Sequence, residues 1–103
     1  MTPVAERFFR DSEYWRAWSR VPDMTADIPY ALAALDPGCR RVLDAPCGRG
    51  RLLKAVRVAF PEADLHGLDV NAGMIEQVRR ECPGARTQVG TVYLLPFPDR
   101  HFD

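Results

Sequence analysis

Apolar and polar residues follow two different periods along this chain, and the switches between them mark its elements. Thr2-Pro3 can cap and start a helix, after which Val4, Phe8, Tyr14, Trp15 and Trp18 fall on one broad apolar face until Val21-Pro22-Asp23 ends it. A second short helix is predicted from about Thr25, because Ile28, Ala31, Leu32 and Leu35 recur at helical spacing before Asp36-Pro37-Gly38 stops them. The period then shortens, and Arg41–Asp44 reads as a strand. The helix predicted after Gly50 buries Leu52, Leu53, Val56 and Phe60 and shows Arg51, Lys54 and Arg57 to water. Pro61-Glu62-Ala63-Asp64 is a return loop, and Leu65-His66-Gly67-Leu68-Asp69 a second strand. A strand, helix and strand of this length make a right-handed parallel crossover. Asn71 can cap a further helix carrying Met74, Ile75, Val78 and Cys82, which Pro83-Gly84 ends, and a third strand follows over Arg86–Val89. Residues 90–103 read as a loop, with Leu94-Leu95-Pro96-Phe97 folding its apolar side chains back on the sheet.

The alternation specifies an α/β fold: a Rossmann-like parallel sheet with flanking helices, truncated after the third strand and preceded by an N-terminal helical arm over residues 1–38. Residues 39–103 form the partial sheet domain. Within the arm, Trp15 and Trp18 are read as core packing. No repeat or low-complexity tract interrupts the pattern.

Composition narrows the classes of partner. The 14 Lys+Arg and 14 Asp+Glu give a formal net charge of +0 and are interspersed, so neither a basic stripe for nucleic acid nor an acidic tail is present. Lys54 is the only lysine, a bias without a functional reading. Cys39, Cys47 and Cys82 have neither C-x-x-C pairing nor zinc-site spacing, so no metal is expected and a reducing compartment is. Charged residues interrupt the first positions, and nowhere do roughly 18 apolar residues occur together. A cytoplasmic protein without membrane contact is the expectation.

The chemistry concentrates where the first strand ends, in Val42-Leu43-Asp44-Ala45-Pro46-Cys47-Gly48-Arg49-Gly50. Gly48 and Gly50 carry no Cβ, so a ligand can approach the main chain and the next helix can start tightly, with its free N–H groups facing that ligand. A dinucleotide turn wants G-x-G-x-x-G, but counting from Gly48 the third glycine position is Leu53, and Asp44 would repel a pyrophosphate. A ligand with a cationic centre fits better. Asp69 closes the second strand roughly 20 residues beyond Gly50, the spacing of the acid that accepts from both ribose hydroxyls in nucleotide-binding βαβ units.

With these two motifs in order, and with Leu95-Pro96-Phe97-Pro98-Asp99-Arg100-His101-Phe102-Asp103 after the third strand, the sequence resembles the N-terminal part of a class I S-adenosylmethionine-dependent methyltransferase. The resemblance is to the broad group of small-molecule enzymes whose third motif reads G-D-A-x-x-L-P-F-x-D-x-x-F-D, and it covers about residues 40–103. It implies that Asp44, Ala45, Pro46, Cys47, Gly48 and Gly50 line the methionine part of S-adenosyl-L-methionine, with Asp44 near its ammonium. It further implies that Asp69 holds the ribose, that Val70, Asn71 and Met74 flank sugar and adenine, and that Thr91 and Val92 lie at the adenine edge. Two positions depart from the family pattern. Pro46 stands where glycine is usual and removes one N–H from the turn. Thr91 stands where an acid usually meets the adenine amino group, and a neutral acceptor there is expected to cost about 1 kcal/mol.

The resemblance implies methyl transfer to a small-molecule acceptor. Its alternative is a fragment or module that binds S-adenosylmethionine or S-adenosylhomocysteine without turnover. A nicotinamide-dependent oxidoreductase is disfavoured by Leu53 and Asp44. The isolated 103 residues are expected to be inactive, because the acceptor pocket in such enzymes lies on loops after the fourth and later strands. They are also expected to self-associate through the open edge of the first strand. No catalytic residue is identified. Cys47 and His66 read as structural, and His101 as a residue of the loop on the substrate side.

Overall fold

The computed structural model describes Arg10 and residues 27–103 of the chain. The apolar face predicted over residues 4–18, with Trp15 and Trp18, lies outside the described residues. Six elements follow in order: α1 (Ile28–Ala34), β1 (Arg41–Asp44), α2 (Arg51–Ala59), β2 (Asp64–Asp69), α3 (Ala72–Glu81) and β3 (Arg86–Val89). Among the described residues the strands form one parallel sheet in the order β1-β2-β3, so the architecture is the predicted Rossmann-like α/β arrangement. Val42 lies opposite Leu65 and Asp44 opposite Gly67, while Asp69 lies opposite Val89. β2 begins one residue earlier than the hydrophobic pattern suggested, because the Asp64 N–H donates to Arg40 O at 2.7 Å and draws Asp64 into the ladder.

One face of the sheet carries the helices. Val42 and Leu65 meet Leu53 and Val56 of α2 and Ile75 and Val78 of α3 in a single apolar cluster. Each side chain of that size taken fully out of water contributes about 1.5–3 kcal/mol. Leu52 and Phe60, expected inside, are only half-buried at its margin, as are Leu32 and Leu35 of the α1 region. Arg57, expected in solvent, is half-buried instead: its guanidinium donates to Pro61 O, Ala63 O and Gly84 O, tying two return loops together.

The loop over residues 90–103 takes the other face. Phe97, His101 and Phe102 close around His66, with the His66 and Phe102 rings 5.0 Å apart edge to face and the Phe97 and Phe102 rings 4.8 Å apart in the same geometry. Leu94 and Leu95 do not fold back as expected; they stay exposed, Leu94 at 79%, because the half-buried rings of Phe97 and Phe102 fill the room over β2. The loop ends against β1. Asp103 N–H donates to Arg41 O, and its carboxylate accepts from the backbone N–H groups of Arg40 and Arg41 at 2.7 and 3.0 Å.

Candidate functional site

The strand ends, the turns that leave them and the starts of α2 and α3 converge at one end of the sheet. Leaving β1, the chain passes the half-buried Asp44 and Ala45, the exposed Pro46 on a cis Ala45-Pro46 bond, and the buried Cys47, whose N–H donates to Leu68 O at 2.9 Å. Gly48 and Gly50 both take left-handed backbone, at φ 55° and 87°. That region disfavours a Cβ, which explains glycine at both positions. At Gly50 there is a second reason, since a Cβ would stand 3.0 Å from a Val78 methyl of α3. At Gly48 the same space is open, with nothing within 4 Å. The turn therefore presses one glycine into the fold and leaves the other facing outward.

Asp69 holds this end together. It is 8% exposed, and its two oxygens accept from different turns: Oδ2 from Gly48 N at 3.0 Å and Oδ1 from Asn71 N at 2.9 Å. Asn71 in turn caps α3 by accepting from Met74 N at 3.1 Å. The sequence shows an acid at a suitable spacing but not its bond to Gly48 N, because that bond joins residues 21 apart in the chain. Each carboxylate oxygen can accept more than one hydrogen bond, so these contacts leave acceptor capacity for a ligand hydroxyl.

No basic side chain among the described residues pairs with Asp44 or Asp69. Burial first, and the neighbouring Asp69 second, push the Asp44 carboxyl up from 3.8 to about 6. The same environment pushes the Cys47 thiol up to about 12, through burial and then the two carboxylates. A thiol held that high is a poor nucleophile at neutral pH, which agrees with Cys47 as packing against Gly67, where a Cβ would meet its sulfur at 3.2 Å.

The structure brings the remaining sequence-predicted positions to the same end. Val70 is half-buried, Asn71 and Met74 are buried at the start of α3, and Gly90 N–H donates to Asp69 O at 3.0 Å, which sets Thr91 and Val92 beside the end of β2. The Thr91 hydroxyl accepts from Tyr93 N at 3.2 Å. His101 is not on this side. Its Nδ1 lies 3.5 Å from Arg41 Nη1, at the start of β1, because the loop crosses the sheet before it ends. Among the described residues no group of three His, Cys, Asp or Glu could hold a metal ion, and no helix is long and apolar enough to cross a membrane.

Comparison with known proteins gives the family of this chain. A family model described as "Methyltransferase domain" matches residues 42–103. The chain is 35% identical over 83 residues to a trans-aconitate 2-methyltransferase of Methylobacterium nodulans, covering 78% of this chain and 30% of that protein. It is 39% identical over 97 residues to a demethylmenaquinone methyltransferase of Symbiobacterium thermophilum, covering 86% of this chain and 35% of that one. The chain thus spans about a third of the length of these curated relatives.

Proposed function

Since the chain belongs to the class I methyltransferase domain family, we propose that the site at the strand ends binds S-adenosyl-L-methionine and serves methyl transfer to a small-molecule acceptor. The observation that carries the reading is the pair Asp44 and Asp69, two carboxylates at adjacent strand ends without a cationic partner among the described residues, beside a turn whose Gly48 leaves open space. Such a site favours a ligand that carries a positive charge and several hydroxyl groups. S-adenosylmethionine has both. A dinucleotide would set its pyrophosphate against Asp44.

Each residue then has a stated task. Asp44 faces the ligand ammonium. Asp69 accepts from the ribose hydroxyls while keeping its bonds to Gly48 N and Asn71 N. Ala45, Pro46, Cys47, Gly48 and Gly50 shape the turn around the amino-acid part. Val70, Asn71 and Met74 flank sugar and adenine, and Thr91 and Val92 border the adenine edge. The bound cofactor supplies a methyl group made electrophilic by its sulfonium. The chain's contribution is position and the exclusion of water. The two relatives are named for different acceptors, trans-aconitate and demethylmenaquinone, so the acceptor is assigned only as a small molecule.

Isothermal titration calorimetry tests the reading. S-adenosylmethionine and S-adenosylhomocysteine should bind and NAD should not. Absence of heat with both adenosyl ligands at millimolar concentration would refute it. A radiolabelled methyl-transfer assay on mixed small-molecule acceptors separates an active chain from one that binds without turnover.

A further inference from the structure

Asp44 and Asp69 occupy the same end of the sheet but are bonded differently. Asp69 accepts two backbone N–H groups, one through each oxygen. Asp44 is half-buried and makes no hydrogen bond or ion pair with any described residue. Its register partner across β1 and β2 is Gly67, two residues before Asp69, so no side chain stands between it and the second carboxylate on that strand. The groups that act on it electrostatically are Asp69 of β2 and, in the turn, the Cys47 thiol. Neither is a cation. Arg49, the basic residue of the turn, contributes to lowering the Glu81 carboxyl of α3. A half-buried carboxyl next to a second carboxylate, with no cation among the described residues to balance it, lowers its free energy by holding a proton. A ligand ammonium seated there reverses the preference.

We propose that Asp44 is the proton-exchanging group of this site: it holds a proton in the ligand-free chain and surrenders it when a cationic ligand binds, so binding and proton release are coupled. The inference rests on the adenosyl-ligand reading of the site and adds regulation to it. The displacement of the Asp44 carboxyl to about 6 places the exchange just below neutral pH. At pH 7 the empty site is mostly ionised and ready, and at pH 5 most sites must lose a proton before they bind. Affinity therefore falls by about tenfold between pH 7 and pH 5, and nearly one proton leaves per ligand bound at the lower pH. The acid-side loss is a property of the protein, because an α-amino group titrates near pH 8 and the ligand keeps its charge throughout this window.

The experiment is calorimetry of S-adenosylhomocysteine and S-adenosylmethionine binding at pH 5, 6 and 7, each in two buffers of different ionisation enthalpy. The expected result is a buffer-dependent heat that grows as pH falls, together with the tenfold weakening. Buffer-independent heat at pH 5, with binding intact at pH 7, overturns the proton linkage and leaves the site reading standing. Lack of binding at pH 7 removes the site reading, and this inference with it. Histidines also titrate in this range. Other titrating groups are therefore excluded with Asp44→Asn, which should bind more weakly at pH 7 but with a flat pH profile and no released proton. Proton release that persists in Asp44→Asn overturns the assignment. Should that variant fail to fold, carboxyl-carbon NMR of the ligand-free chain decides, since an Asp44 signal that titrates at the ordinary carboxylate value also overturns it.

Discussion

At the end of the sheet where the strands finish, Asp44 and Asp69 have no cation beside them among the described residues, and burial raises Asp44 to about 6. At the end where the strands begin, Asp64 and Asp103 are surrounded by donors. Asp64 lies 3.3 Å from both His66 Nε2 and Arg86 Nε, although the His66 approach is misaligned for a full hydrogen bond. Partial desolvation would raise Asp64, but the neighbouring His66 and then Arg86 and Arg41 outweigh it and hold the carboxyl below its ordinary value. The backbone N–H groups of Arg40 and Arg41 do the same for Asp103. Asp44 thus has the opposite setting to Asp64 and Asp103. Compensated carboxylates fasten a fold, whereas uncompensated ones cost stability and persist where a ligand supplies the missing charge.

Removing Asp69 should have the largest effect, because Asp69 fastens two turns where the strands finish and is the proposed ribose acceptor. Asp69→Ala leaves the Gly48 and Asn71 N–H groups without their acceptor, and Asn71 is buried, so a loss of about 2–4 kcal/mol is expected in urea denaturation. Calorimetry should show adenosyl-ligand affinity falling at least in proportion. Unchanged denaturation would mean that the two turns are held by other contacts.

Asp44→Asn should act in the opposite sense on the ligand-free chain. The Asp44 carboxyl is raised in the folded state, so the folded chain binds more protons than the unfolded one between its ordinary value of 3.8 and about 6. Stability contributed by this group is complete below the lower value and lost as pH rises through the upper one. The amide removes that loss and should stabilise the empty chain at pH 7 by about 1–3 kcal/mol, with no gain below pH 4. Thermal denaturation across pH reads this directly. A destabilised Asp44→Asn at pH 7 would mean that a cation balances Asp44 after all.

This division was only half visible in the sequence. β1 and β3 take the bounds that the sequence suggests, because Pro37-Gly38 and Pro83-Gly84 before them and Gly48 and Gly90 after them leave little choice of register. The Asn71 cap is a local bond between residues three apart and is equally legible. What binds residues distant in the chain is not. The bond from Gly48 to Asp69, the closure of Phe97 and Phe102 around His66, and the placement of His101 by Arg41 rather than near the turn all follow from the path of the last loop, which has no period to read. The exposure of Leu94 and Leu95 has the same origin: two phenyl rings with one surface to cover outcompete the leucines beside them.

Adding an acid to the ligand end sharpens the contrast by a smaller amount. In Thr91→Asp one carboxylate oxygen can keep the bond that the Thr91 hydroxyl accepts from Tyr93 N, and the other is free for the adenine amino group. A charged acceptor in place of a hydroxyl should tighten adenosyl-ligand binding by about 1 kcal/mol, roughly fivefold in Kd by calorimetry. Equal or weaker binding would mean that Thr91 does not border the adenine.

The smallest effect is expected from Asp64→Asn, at the opposite end. Asp64 has the Arg86 guanidinium beside it, but Arg86 is 75% exposed, and solvent screens such a pair. The Asp64 carboxyl is lowered in the folded state, so its contribution is present above the ordinary carboxylate value and is lost as pH falls through the folded one. Asp64→Asn should therefore destabilise the chain at pH 7 by less than about 1 kcal/mol, and the difference from the unsubstituted chain should vanish toward pH 3 and shrink in high salt. That pH dependence has the opposite sign to the one expected for Asp44→Asn. Measuring both variants over the same pH series makes the comparison internally controlled: two curves that move in the same direction would show that the ends of the sheet do not differ in the way their neighbours imply.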